Sequence, residues 1–127
     1  MRASRAPQAQ RLGFRHNDPK SLAAILQKIK VAEGGTVFLA VESLYSMDGD
    51  FAPLPALLDV LDAHISRENQ CVVVDEAHST GVYGAQGRGV THALGEQGRV
   101  GVRLMTFGKA VGCSGGMSSF VWKSCWG

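Results

Sequence analysis

Three short apolar runs, each stopping on polar residues, limit most how this chain can fold. TVFLAVE occupies residues 36–42, CVVVD 71–75 and VRLMTF 102–107. All three have strand length. The first two are nearly continuous, as expected of strands buried on both faces of a parallel sheet. Helical signals lie before and between them. Asp18 followed by Pro19 reads as a helix start, with an acid at the cap and a proline at the first helical position. Leu22, Ile25, Leu26 and Ile29 continue at helical spacing, and Gly34-Gly35 is the expected stop. Pro53 opens a second helix whose stripe is Leu54, Leu57, Leu58, Leu61 and Ile65. The order helix, strand, helix, strand, loop, strand predicts an α/β fold with a mainly parallel sheet flanked by helices.

In such sheets, ligands bind beyond the carboxyl ends of the strands. The conspicuous polar residues fall there three times. Glu42 to Ser46 follow the first strand, Asp75 and His78 the second, and Thr106 and Lys109 the third. A glycine-rich loop with Gly81, Gly84, Gly87 and Gly89 follows His78, and GKAVGCSGG forms a tight turn around Lys109.

Composition removes several function classes. A net charge of +2 is too small to argue for nucleic acid or an anionic membrane surface. No apolar run approaches the roughly 20 residues that span a bilayer. Three cysteines, Cys71, Cys113 and Cys125, form an odd set without CxxC pairing, which favours reduced thiols in an intracellular protein. The expected compartment is the cytoplasm, with the mitochondrion as alternative. The first seventeen residues carry four arginines and no acid, as a presequence would, but Pro7 and the lack of an apolar face favour disorder. Residues 1–13 are therefore read as a disordered N-terminus, 14–121 as one partial domain and 122–127 as a divergent tail.

The stretch VDEAH resembles the strand-end acid of a helicase. That reading needs a phosphate loop, GxxxxGK followed by Ser or Thr, earlier in the chain. The only GK is Gly108-Lys109; it follows DEAH, Arg103 stands where the first glycine should be, and Ala110 replaces the hydroxyl residue. ATP hydrolysis is rejected. Asp75, Glu76 and His78 offer metal-ligand atoms, but His16, His64 and His92 lack zinc-like spacing, so no metal is expected.

Lys109 is either a solvated charge at a loop tip or a partly desolvated amine with a lowered pKa, fit to form a Schiff base. Its company favours the second reading. Pyridoxal phosphate (PLP) needs a lysine for its aldehyde, a carboxylate against its ring nitrogen and a hydrogen-bonding group at its phenolic oxygen. Lys109, Asp75 and His78 supply these in turn.

FRHND, ESLYSMDGDFAPL, VDEAHSTGVYGAQGRG and TFGKAVGCSGG, in that order over roughly residues 14–116, resemble the α-oxoamine synthases. These are PLP enzymes of fold type I, with an aminotransferase-like large domain. The wording is most similar to the branch that makes 8-amino-7-oxononanoate in biotin synthesis. Other members are 5-aminolevulinate synthase, 2-amino-3-ketobutyrate CoA ligase and serine palmitoyltransferase. The resemblance implies an acyltransferase that joins an amino acid to an acyl-CoA with loss of carboxylate, working as a homodimer. It implies that Lys109 is the Schiff-base lysine, Asp75 the partner of the pyridine nitrogen and His78 the group at the phenolic oxygen. Ser46 would be a second donor there and Thr106 a contact to the cofactor phosphate. Glu42 would orient neighbours.

Family members are about three times longer. Against their pattern, this sequence has no upstream glycine-rich phosphate segment or ring-stacking histidine, and no downstream small domain with its carboxylate-binding arginine. After Gly116, where an apolar strand should follow, MSSFVWKSCWG departs from the pattern. The 127 residues alone are expected to turn over weakly or not at all, and the alternative function is that of a non-catalytic fragment.

Overall fold

The structure is a computed structural model and describes residues 10–120. The arginines at positions 2 and 5, the tail 122–127 and Cys125 lie outside the described residues. A four-stranded sheet is built from β1 (Val37–Glu42), β2 (Gln70–Asp75), β3 (Val102–Thr106) and β4 (Gly116–Phe120), in that spatial order. The first three strands are parallel and β4 is antiparallel to β3. The helices are α1 (Pro19–Leu26), α2 (Leu54–His64) and the short α3 (Val90–Ala93). The predicted mainly parallel α/β architecture is borne out.

Helix α1 begins as its sequence indicates. Asp18 is extended, its Oδ1 accepts the Ser21 N–H at 3.0 Å, and Pro19 occupies the first turn. The helix ends at Leu26, well before Gly34-Gly35. There the Lys28 and Ile29 N–H groups donate three residues back, to Ile25 and Leu26. This tightens and closes the last turn, and Ile29 packs against the core from outside the helix. Helix α2 buries the predicted stripe: Leu54, Leu57, Leu58 and Leu61 are all within 2% of full burial.

These leucines meet Leu39 and Val41 of β1 and Val72 and Val74 of β2, so both long helices cover one face of the sheet. Register fixes what lies on the other face. Leu39 pairs with Val72 and Val41 with Val74, while Glu42 pairs with Asp75 and Asp75 with Leu104. Side chains alternate, so Phe38, Ala40, Glu42, Asp75, Leu104 and Thr106 share the face away from α1 and α2. The expectation that TVFLAVE is buried on both faces is thereby corrected. Phe38 is 59% exposed and Ala40 is exposed, because the two helices that bury Leu39 and Val41 pack on the same side.

The departure expected after Gly116 also needs correction. Residues Gly116–Phe120 form β4, paired with β3 from Val102↔Phe120 to Thr106↔Gly116. All but Ser119 are exposed, so backbone pairing rather than apolar burial makes this strand.

Candidate active site

The parallel strands bring the predicted residues toward one edge of the sheet. Glu42 ends β1 beside Asp75, the last residue of β2. The two carboxylates lie on neighbouring strands and the same face, and among the described residues neither has an ion-pair partner. Asp75 Oδ1 accepts the Ala77 N–H at 2.8 Å, which fixes the carboxylate, while Oδ2 accepts nothing among the described residues.

The chain then turns tightly. Ser79 and Thr80 donate their N–H groups to the Glu76 carbonyl at 3.0 and 2.8 Å. This turn carries His78, half-buried, with a ring that makes no hydrogen bond among the described residues. Ser43 ties β1 to the turn: its N–H donates to the Asp75 carbonyl at 2.9 Å, and its hydroxyl lies 2.9 Å from the hydroxyl of Ser79. Both serines are fully buried.

Thr106 ends β3 on the same face as Asp75, and its buried hydroxyl has no partner among the described residues. Lys109 lies in the connection between β3 and β4, closed by hydrogen bonds from Gly112 N–H to Lys109 O (3.0 Å) and Cys113 N–H to Phe107 O (2.9 Å). Lys109 is exposed on that connection. Ser46 is exposed in the turn after β1, four residues beyond Glu42, and makes no hydrogen bond among the described residues. Sheet register thus places Glu42, Asp75 and Thr106 on one face, the turn after β2 carries His78, and Ser46 and Lys109 lie on exposed loops.

From the turn before α1, His16 reaches the loop after β1: its Nε2 lies 3.0 Å from Asp50 Oδ2 and 3.7 Å from Asp48 Oδ2, and its ring packs edge-on against Tyr45 at 4.5 Å. These neighbours lie more than 25 positions from His16 in sequence, and the fold brings them to it. The Tyr45 phenol titrates above its ordinary range, chiefly through burial and also through the negative charges of Glu42 and Asp50.

Glu76 was weighed from sequence only as a metal ligand. It is fully buried on the opposite face from Asp75 and forms an ion pair with Arg103 of β3. A readable signal for it was Arg103 itself, a charge inside an apolar strand, which needs a partner.

The sequence pattern of the aminotransferase class I and II family matches residues 4–121, and the chain belongs to that family. Its relatives include α-oxoamine synthases, in agreement with the sequence resemblance. It is 43% identical over 121 residues to the 8-amino-7-oxononanoate synthase of Emericella nidulans, covering 91% of this chain and 29% of the relative. It is 43% identical over 114 residues to the serine palmitoyltransferase of Caulobacter vibrioides, covering 89% of this chain and 27% of the relative. Among solved structures it resembles serine palmitoyltransferase from S. paucimobilis with a bound PLP–myriocin aldimine. The TM-score is 0.74 at 36% identity, over 84% of this chain and 25% of that one. The chain therefore spans less than a third of the length of these relatives.

Proposed function

We propose that these residues form the cofactor-binding half of a PLP-dependent acyltransferase. The reaction is the decarboxylative condensation of an amino acid with an acyl-CoA, of the 8-amino-7-oxononanoate synthase type. The observation that carries this reading is Asp75. It ends the middle parallel strand with one carboxylate oxygen anchored at 2.8 Å by Ala77 and the other unpaired, with no side-chain cation paired with it among the described residues. The remaining donor set also suits PLP: an imidazole three residues on, an unsatisfied threonine hydroxyl at the next strand end and a lysine in the following turn.

When bound, PLP supplies a protonated, electron-withdrawing ring that takes up the electron pair left at the amino acid's α-carbon. The Asp75 carboxylate would hold the proton on the ring nitrogen. His78 would donate to the phenolic oxygen, with Ser46 as a second donor. The Thr106 hydroxyl would bind the phosphate. Lys109 Nζ would anchor the cofactor and serve as the base for the α-proton. Glu42, paired with Asp75 across the strands, would add negative potential to the site. No helix among the described residues is long and apolar enough to cross a membrane. A homodimer in the cytoplasm is the assembly and compartment in keeping with this reading.

The test is to add PLP to the 127-residue chain, record its visible absorbance, reduce with borohydride and map the modified lysine by mass spectrometry. Selective labelling of Lys109, weakened in Asp75→Ala, is the expected result. Labelling spread over many lysines and unaffected by that substitution would overturn the reading.

A further inference from the structure

The glutamate next to Asp75 faces the other way and is fully buried. Its carboxylate gathers groups from three separate segments. Arg103 of β3 donates to Oε2 from Nε at 2.6 Å and also from Nη2. The Thr91 N–H, inside α3, donates to Oε1 at 2.8 Å. Ser79, in the turn that carries His78, brings its hydroxyl to 3.5 Å from Oε1. Arg103 reaches further and donates to the Arg88 carbonyl in the glycine-rich loop. The backbone of Glu76 continues the same connections: its N–H donates to the Leu104 carbonyl at 2.8 Å, and its carbonyl closes the His78 turn.

A buried ion pair is a weak source of stability, because desolvation offsets most of the attraction. Removing one partner, by contrast, leaves the other charge buried and uncompensated, which is strongly unfavourable. Here the pair lies on the reverse side of the sheet from Asp75 and Thr106. It locks the end of β2, which carries Asp75, and the His78 turn onto β3, which carries Thr106 and leads to Lys109.

We propose that Glu76, through Arg103, is a positioning residue that sets Asp75 and His78 against Thr106. This rests on the cofactor reading above and adds to it a residue that would never touch the cofactor. Glu76→Gln keeps the shape and an acceptor for the Thr91 N–H but removes the charge that fixes Arg103. Two measurements on the full chain test it. The first is PLP trapping, with Leu57→Ala as a control that loosens the core of α2 without touching the tether. The second is amide hydrogen exchange without cofactor.

The expected result is that Glu76→Gln cuts selective Lys109 labelling about tenfold and shifts the visible band, while Leu57→Ala lowers the melting temperature yet keeps the wild-type band and selectivity. Exchange at Ser79, Thr80 and Thr91 should quicken in Glu76→Gln while Val72 and Val74 stay protected. Wild-type labelling and band in Glu76→Gln would overturn the proposal. If the wild-type chain itself labels without selectivity, the cofactor reading fails, and exchange alone decides the tether: unchanged rates at those three amides overturn it, and faster rates uphold it.

Discussion

A methyl group on residue 89 would stand 2.5 Å from Glu76 Oε1, closer than any carbon tolerates. Gly89 also has φ +91°, a conformation that side chains resist. The close approach follows from the carboxylate that the loop wraps. Gly89→Ala should therefore cost about 2–3 kcal/mol, read as a lowered urea midpoint. Gly34, with φ +69° and open space where a Cβ would go, should yield a smaller loss with Ala. At this scale the sequence named Asp75 and His78 because their chemistry and strand-end position are local properties. It could not assign Glu76, whose role depends on Arg103 arriving from 27 residues downstream.

Helix α2 is held at its polar side by a network that ties it to the starts of two strands. Asp62 accepts from the side-chain amide of Gln70 at 2.8 Å, from Arg99 at 2.8 Å and from Arg67 at 2.7 Å. Arg99 also bonds Asp59 at 2.8 Å. Burial alone would push the Asp62 carboxyl up, but the Gln70 and Arg99 hydrogen bonds, with the charges of Arg67 and Arg99, hold it below the usual carboxylate value. A carboxyl with a depressed folded pKa adds stability above its unfolded value, about 3.9, and loses it as pH falls through the folded one. The urea midpoint should therefore drop from about pH 5 downward, and Asp62→Asn should flatten that slope while lowering stability near neutrality. Among the elements, α2 was legible because its leucines recur with the helical period. Strand β4 was not, because GMSSF has no apolar pattern and exists through its ladder with β3. The four residues of α3 were missed for a related reason: one turn shows no period, and a contact to Glu76 helps to hold it.

Across the whole molecule, the sheet has one face against the helices and another that carries Asp75. On that second face Phe38 is 59% exposed, Leu104 39% and Phe120 69%. Exposed apolar residues on a sheet with open edges promote association. The isolated chain should therefore scatter light and bind a hydrophobic dye at micromolar concentration, and the double substitution Phe38→Ser and Phe120→Ser should reduce both without disturbing the leucine core. What the sequence determined by itself is the alternation of helices and strands, the capped start of α1, the buried stripe of α2 and the polar strand ends where a site belongs. These are periodicities and local chemistries, set by neighbours within a few positions. Only the tertiary structure decided that α1 and α2 share one face, that Phe38 stays open, that β4 runs antiparallel to β3, and that Glu76 turns away from Asp75 to meet Arg103. Each of these depends on which segments come together in space, and the local pattern of a chain holds no record of pairing between residues tens of positions apart.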